Sequence, residues 1–472
     1  MPINSFLYPG AKVTPAYEVA NSWRNNNPDS SYMHITPSSA GNKRIWTFST
    51  WLKRSKLSYD CRIFSTLGSS GGPYGALQFG SDDRFVCWSY NGSGNDQYHR
   101  TNRLFRDTSA WYHIVMAVDT TQGSASNRTK IYFNGVQETS WLTETTHDQN
   151  DDSEFNHDTK WFLGAGDPDD SQLMPFDGYM AETVFIDGTQ YAASDFGEFD
   201  EDSPTIWKPK DVSGLTFGTN GFYLDYEDSA NLGNDANGGT DLTEVNVAAT
   251  DQATDTPTNN FCTINVLDNE SGNITISEGN LNFTVTGNAD ETNRGTFGFT
   301  KGKWYFESKY VDDSCYVLIG VASASDADIA TPKSHMEMAG YYSIQIDDSS
   351  PGTRPFDNGS AGSGLGNSAE DDIHMYAIDM DNNRFYAGKN GTWYSSGDPA
   401  GNSNPLIEMD DGFTTLMPSI CTKQDGIADL NFGSPFYAIS SGNADGNGYG
   451  NFEYSVPSGY YSLCTKNLAE FG

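Results

Sequence analysis

No apolar run in the sequence is long: the longest, Cys315 to Ala322, falls far short of the ~20 residues that cross a bilayer. The N-terminus lacks an apolar stretch behind its first cation, Lys12, so neither membrane insertion nor a classical export signal is expected, and the chain reads as soluble. Basic residues are scarce too. Lys and Arg number 27 against 63 Asp and Glu, a net charge of −36, so nucleic acid or an anionic membrane would meet a field of its own sign. Only six cysteines occur, at 61, 87, 262, 315, 421 and 464, with no C-x-x-C and no short Cys/His cluster. That excludes a disulfide scaffold and argues against structural zinc. Cys315 and Cys421 sit in apolar stretches and read as buried small hydrophobes, whereas pairing of Cys61 with Cys87 stays open. Helical periodicity, heptads, β-helix repeats and any period of about 20–50 residues are missing, so no fibre shaft is encoded. Neither a Gly-x-Ser-x-Gly elbow nor a phosphate-cradling G-x-x-x-x-G-K-S/T is present.

What the sequence does contain is aromatic and turn-rich. Aromatics reach 13%, and 48 Gly with abundant Asn, Asp and Ser punctuate short runs of Tyr, Phe, Trp, Val and Ile. This predicts an all-β fold, and the 472 residues allow two or three domains at roughly 100–200 residues each. In IWTFSTWLK, Ile45 to Lys53, Trp46, Phe48 and Thr50 face one way and Thr47, Ser49 and Trp51 the other. Large residues on both faces predict a strand inside a two-sheet sandwich. Trp111 to Asp119 and Lys130 to Val136 are expected as strands, the second ended by the Asn134-Gly135 turn pair, and Trp161 to Gly164 and Tyr179 to Asp187 follow.

Past residue 225 the charge changes: the first part carries 17 cations and 28 acids, the remainder 10 and 35. No Lys or Arg lies between Lys210 and Arg294, an interval with 14 acids, and we read 226–262 as an acidic, Asn/Thr/Gly-rich connector. A second β series then runs through Asn280 to Thr286, Lys303 to Tyr310, Tyr316 to Ala322, Tyr341 to Ile346, Met375 to Met380, Arg384 to Lys389, Leu416 to Ile420 and Ala428 to Phe432. The expected organisation is an extended docking segment at 1–22, a sandwich at 23–225, the connector at 226–262 and a second sandwich at 263–472.

The runs WTFSTWLKRS at 46–55, WYHIVMAVDTT at 111–121, KIYFNGV at 130–136 and FDGYMAETVFIDG at 176–188 resemble the laminin-G-like, concanavalin A-like jelly roll. The ordered series GKWYFESKY at 302–310, CYVLIGVASAS at 315–325, GYYSIQIDD at 340–348, YAIDMDNNRFYAGKNGTWYSSGDPAG at 376–401 and LMPSICTKQDGIADLNFG at 416–433 resembles a SPRY domain, which implies recognition through edge loops without catalysis. With the opening FLYPGAKVTPAYEVANS, the whole is similar to virion structural proteins of marine tailed phages. Strong acidity suits seawater, where the Debye length of about 3–4 Å screens self-repulsion.

Candidate sites are few. Glu198 and Asp200, in EFDED, approach the acid spacing of a glycanase, but Gly and Pro flank the segment and it reads as a solvated loop. Asp379 to Asn383 copies the start of an EF-hand loop, yet Arg384 stands where Gly is required, so a hairpin turn is expected. Asp82, Asp83, Asp167, Asp169 and Asp170 are the candidate Ca²⁺ ligands, since the laminin-G resemblance implies rim calcium held by Asp oxygens. His147 and His157 flank an acidic loop and are weaker metal candidates. For ligand contact, Tyr74, Tyr90, Tyr98, Trp393 and Tyr394 are placed on loop tips, where a ring offers area at little entropic cost. The expected function is a non-catalytic phage virion surface protein, in a tail fibre or appendage or attached to the capsid, recognising host surface glycans or proteins. A purely structural decoration and a glycan depolymerase on the first sandwich are the alternatives. Residues 1–22 are expected to dock on other virion proteins, and self-association, as a trimer, is expected on the particle surface.

Overall fold

The computed structural model describes residues 17–66, 73–167, 173–201, 203–268, 271–311, 315–325, 334, 336, 339–350, 352–410, 412 and 414–472. It is almost entirely β, with one terminal helix, Thr465–Phe471, and one four-residue helical turn, Ala125–Arg128, among the described residues. Two sandwiches each carry their own apolar core. The alternation read in the sequence is the reason. Trp46, Phe48 and Leu52 of the strand Ile45–Arg54 point into the first core, while Trp51 lies on the opposite face.

One sheet of the first sandwich runs in the order Val136–Gln137, Thr129–Phe133, Tyr112–Asp119, Ile45–Arg54, Gly178–Asp187, Ser22–Asn25 and Gln252–Ala253, with Phe222–Leu224 added to Gly178–Asp187. We call it the covered sheet, because residues between 191 and 223 pack on its outer face through Val115, Val184, Ile186, Phe196, Phe217 and Tyr223. His113 pins that cover. Its ring stacks on Trp51 at 4.5 Å and accepts the Trp207 indole N–H at 2.9 Å, so its other nitrogen carries the proton toward Ser49. Burial pulls this imidazole down to about 3, which keeps it neutral.

The facing sheet, which we call the open sheet, has the order Trp141–Thr145, Asn95–Thr101, Phe85–Tyr90, Tyr74–Phe79, Cys61–Thr66, Trp161–Leu163, Tyr32–Ile35 and Thr243–Val245. Cys61 and Cys87 lie on strands flanking Tyr74–Phe79, about 10 Å apart by strand spacing, and all six thiols are free. Cys421 is buried as expected, whereas Cys315 is half-exposed at a strand entrance.

The second sandwich pairs a nine-stranded sheet centred on Lys303–Tyr310 with a six-stranded sheet centred on Val317–Ser323 and Leu416–Thr422. Asp379 accepts the backbone N–H groups of Asp381 and Asn382 at 3.1 Å, and Asn383 has φ 55°, the turn expected there.

The stretch 226–262 differs from a free connector. Tyr226, Leu232 and Leu242 enter the first core, Thr243–Val245 ends the open sheet, and Gln252–Ala253 ends the covered one. Apolar residues spaced through the polar text anchor it, a signal that charge and composition hide. Contacts then tie the sandwiches together: Tyr179 Oη donates to Gly279 O at 2.8 Å, Asn26 Nδ2 to Glu278 Oε1 at 2.6 Å, and Arg24 Nη1 to Pro435 O at 3.3 Å. Residues 1–16 of the expected docking segment lie outside the described residues, and Ser22 already belongs to a strand.

Candidate functional site

The outer face of the open sheet carries a row of directly paired residues that crosses all eight strands. It reads Thr243, His34, Phe162, Ser65, Ala76, Trp88, Tyr98 and Thr145. Paired residues share a face, so the inward set is Leu163, Phe64, Leu77 and Cys87 and the row lies on the opposite face, where Phe162, Ser65 and Ala76 are themselves buried, His34, Trp88 and Tyr98 are half-buried, and Thr243 and Thr145 are exposed. Ser65 Oγ donates to Ala165 O at 3.1 Å and the middle of the row is closed, so its accessible rings are those around Trp88.

Tyrosines adjoin Trp88. Trp88 stacks with Tyr98, centroids 6.4 Å apart at 17°, and meets Tyr74 edge-on at 6.1 Å. Tyr74 in turn contacts its strand partner Tyr90 at 5.6 Å. All four rings are half-buried, and the buried Trp88 indole N–H has no acceptor among the described residues. Cations lie over the rings: the Arg62 guanidinium is 5.8 Å from the Tyr74 centroid and the Lys160 ammonium 5.8 Å from that of Phe162. Burial and the nearby Lys160 pull the His34 imidazole below its ordinary range. No acidic residue occupies the row, in a chain whose net charge is −36. Flat rings, hydroxyls and flanking cations are the kinds of group that can stack on the C–H face of a sugar and bond its polar edge.

Tyr74, Tyr90 and Tyr98 are therefore gathered into one surface, though on strands and not on loop tips. The sequence reading missed Trp88, Phe162 and His34. Alternation in FVCWSY held the signal, since Phe85 and Cys87 point inward and Val86, Trp88 and Tyr90 outward. Trp393 and Tyr394 belong elsewhere. Trp393 packs edge-on to Tyr305 at 6.5 Å and Tyr394 against the second core, so both rings are held by their own sandwich.

The acidic candidates are engaged by arginine. Asp82 pairs with Arg100 at 2.6 Å and Arg84 at 3.0 Å, and despite its burial these hold its carboxyl below the usual range. Asp83, 1% exposed, meets Arg54 at 3.1 Å, Arg106 at 2.9 Å and the Ser58 N–H at 2.7 Å. The oxygens a hard cation needs are occupied by guanidinium groups. Asp167 is buried beyond the strand Trp161–Leu163, while Asp169 and Asp170 lie outside the described residues. His157 pairs with Glu154 at 3.2 Å, whereas His147 is fully buried and burial pulls it down to about 4. Among the described residues no three His, Cys, Asp or Glu side chains converge for a metal. Glu198 and Asp200 both face Lys208, at 3.5 and 3.3 Å, on the two-stranded hairpin Gly197–Phe199 and Trp207–Pro209.

Among solved structures the chain is similar to the SPRY domain of human HERC1, at 15% identity over 33% of this chain and 91% of that one, TM-score 0.26. It is similar to domains LG4-5 of the mouse laminin alpha1 chain, at 10% identity over 91% and 93%, TM-score 0.32. A heptameric SAP-like pentraxin from Limulus polyphemus gives 15% identity over 37% and 80%, TM-score 0.28. No curated protein matches the sequence. Residues 27–193, which hold most of the open sheet and the whole aromatic row except Thr243, match the family model described as the Concanavalin A-like lectin/glucanases superfamily.

Proposed function

We propose that this chain is a non-catalytic glycan-binding protein that works at the surface of a phage virion, on a tail appendage or attached to the capsid. The observation that carries the binding reading is the cluster of half-buried rings Trp88, Tyr74, Tyr90 and Tyr98 on the outer face of the open sheet, with the Arg62 guanidinium over Tyr74. The match of residues 27–193 to a lectin and glucanase family model supports it. Against a depolymerase stands the shared engagement of Glu198 and Asp200 by Lys208, away from the row. The virion placement rests on the sequence resemblance, and with it go docking through residues 1–22 and assembly as a trimer.

Two measurements test the parts separately. A glycan array and whole-cell binding assay on the full chain should give a signal that Trp88→Ala weakens by about tenfold or more, the size of losing one stacked ring contact. A silent array and no cell binding would return the chain to the class of structural decoration. Mass spectrometry of purified particles should find the chain, and its absence there would end the virion reading while leaving glycan binding intact.

A further inference from the structure

Lys53 shares the outer face of the covered sheet with Trp51, two residues away on the strand Ile45–Arg54, and its side chain is 1% exposed. Its Nζ donates to Asp255 Oδ2 at 2.8 Å, to Asn260 Oδ1 at 2.8 Å and to the Phe261 carbonyl at 3.2 Å. Rings enclose the group. Nζ stands 5.5 Å over the Tyr179 centroid, and Trp111, which packs on Tyr179, donates its indole N–H to Asp255 Oδ1 at 3.0 Å. The Asp255 backbone is fixed as well, its N–H donating to Ser434 Oγ at 3.1 Å and its carbonyl accepting from Ser22 Oγ at 2.6 Å. Asn260 is half-buried; its Nδ2 donates to Ser109 O at 2.6 Å and its N–H to Thr465 Oγ1 at 3.0 Å. An amine, a carboxyl and a carboxamide thus meet at one buried nitrogen.

These three groups hold the parts of a ligation: a nucleophile, an acid–base group and an electrophilic carbon. Passing a proton from Nζ to Asp255 Oδ2, along their 2.8 Å contact, frees a lone pair on the amine, and burial keeps water from competing for it. The electrophile is the Asn260 Cγ, one bond beyond the oxygen that Nζ already touches. Attack forms the Nζ–Cγ bond, and the tetrahedral carbon collapses as the Cγ–Nδ2 bond breaks. The departing nitrogen takes the second amine proton by way of Asp255 and leaves as ammonia, which carries off the borrowed proton as ammonium. Asp255 returns to a carboxylate. One lysine ammonium and one carboxamide have become a secondary amide and an ammonium ion, so atoms and charge balance without an oxidant or a second reactant. Contact among the three groups supplies the proximity that such a step requires.

We propose that Lys53 and Asn260 become joined by an isopeptide bond, with Asp255 carrying the proton. This rests on neither the glycan nor the virion reading. Ligation follows folding, because the trio assembles only when both ends of the 207-residue separation are in place, and the freshly folded chain holds it as an ion pair. The bond ties the first sandwich to the segment entering the second, so a pull on the two chain ends bypasses everything between residues 53 and 260. Denaturing mass spectrometry with peptide mapping, on the full chain aged for days at physiological temperature, tests it. The aged chain should be lighter than its sequence by one ammonia, and the peptides carrying Lys53 and Asn260 should emerge joined. Asn260→Ala, a change at a half-buried position, should leave the Lys53 peptide unjoined, and Asp255→Ala should slow joining about a hundredfold or more, the scale of a lost acid–base group. An aged wild-type chain of unchanged mass overturns the proposal. Ammonia lost while the two peptides stay separate also overturns it, by assigning the loss to a succinimide at an Asn-Gly pair such as Asn134-Gly135. Joining at an unchanged rate in Asp255→Ala overturns it too.

Discussion

Lys53 Nζ lies 2.8 Å from Asp255 Oδ2, and both side chains are 1% exposed. Asp255 also accepts the Trp111 indole N–H at 3.0 Å, and Lys53 donates to Asn260 Oδ1 and Phe261 O. One ammonium thus joins the covered sheet to the chain entering the second sandwich. Asp255→Ala leaves that ammonium buried and unpaired, and is expected to cost about 3–5 kcal/mol, read by chemical denaturation. Replacing both partners, Lys53→Met with Asp255→Leu, should cost far less, because no charge is then stranded.

Glu182 sits at a bulge in the strand Gly178–Asp187 with φ 49°, 5% exposed. Burial pushes its carboxyl up to about 7, while the Tyr223 and Tyr17 hydroxyls, each at 2.9 Å, favour the charged form. Burial likewise lifts Asp177 and Glu307 to about 7. A carboxyl with a raised folded pKa holds its proton more tightly in the folded state. Its stabilisation is complete below the ordinary value of 4.5 and is lost as pH rises through about 7. Melting temperature should therefore fall between about pH 5 and about pH 8, and Glu182→Gln should flatten that slope. A slope unchanged in Glu182→Gln would show that this carboxyl does not hold its proton.

Gly135 follows Asn134 in a hairpin with φ 48° and 77°, the left-handed pair a two-residue turn demands. A Cβ on Gly135 would stand 2.4 Å from Trp207 Cε3, so alanine meets a ring as well as unfavourable backbone. Gly135→Ala should cost more than the roughly 1–2 kcal/mol of the backbone alone. Measured unfolding midpoints decide this, and near-neutral stability would mean that the Trp207 hairpin moves freely off the sheet.

Five cysteines are buried and one, Cys315, is half-exposed. Burial pushes the Cys61 thiol up to about 11, and the others rise in the same direction where a shift is resolved. Native labelling with a maleimide, followed by mass spectrometry, should modify Cys315 first, and unfolding should release the remaining five. Early labelling of Cys87 would contradict its place under the open sheet.

Where a strand is apolar on both faces, its position was legible: Lys303–Tyr310, Tyr341–Ile346 and Arg384–Lys389 stand where alternation put them. Of the open sheet, only Trp161–Leu163 was. Asn95–Thr101 reads NDQYHRT and Tyr74–Phe79 is flanked by glycines, so their composition signals loops while their register partners make them strands. Cross-strand neighbours supply the order that local propensity lacks. The same cause explains the tyrosines. Types were readable from the residues, but their assembly with Trp88 depends on pairings between segments, and Phe162 joins from a strand about 60 residues further along. The acid loops failed differently, because no local pattern reveals that Arg54 and Arg106 arrive at Asp83 from other strands and turns.

The half-buried rings Tyr74, Trp88 and Tyr98 stand on three neighbouring strands, about 10 Å from first to last at about 4.8 Å per step. A linear polysaccharide crossing them would run perpendicular to the strands. Affinity would then climb with oligomer length and level off once the saccharide outgrows this ruler, so short fragments would be poor competitors of the polymer from which they are cut.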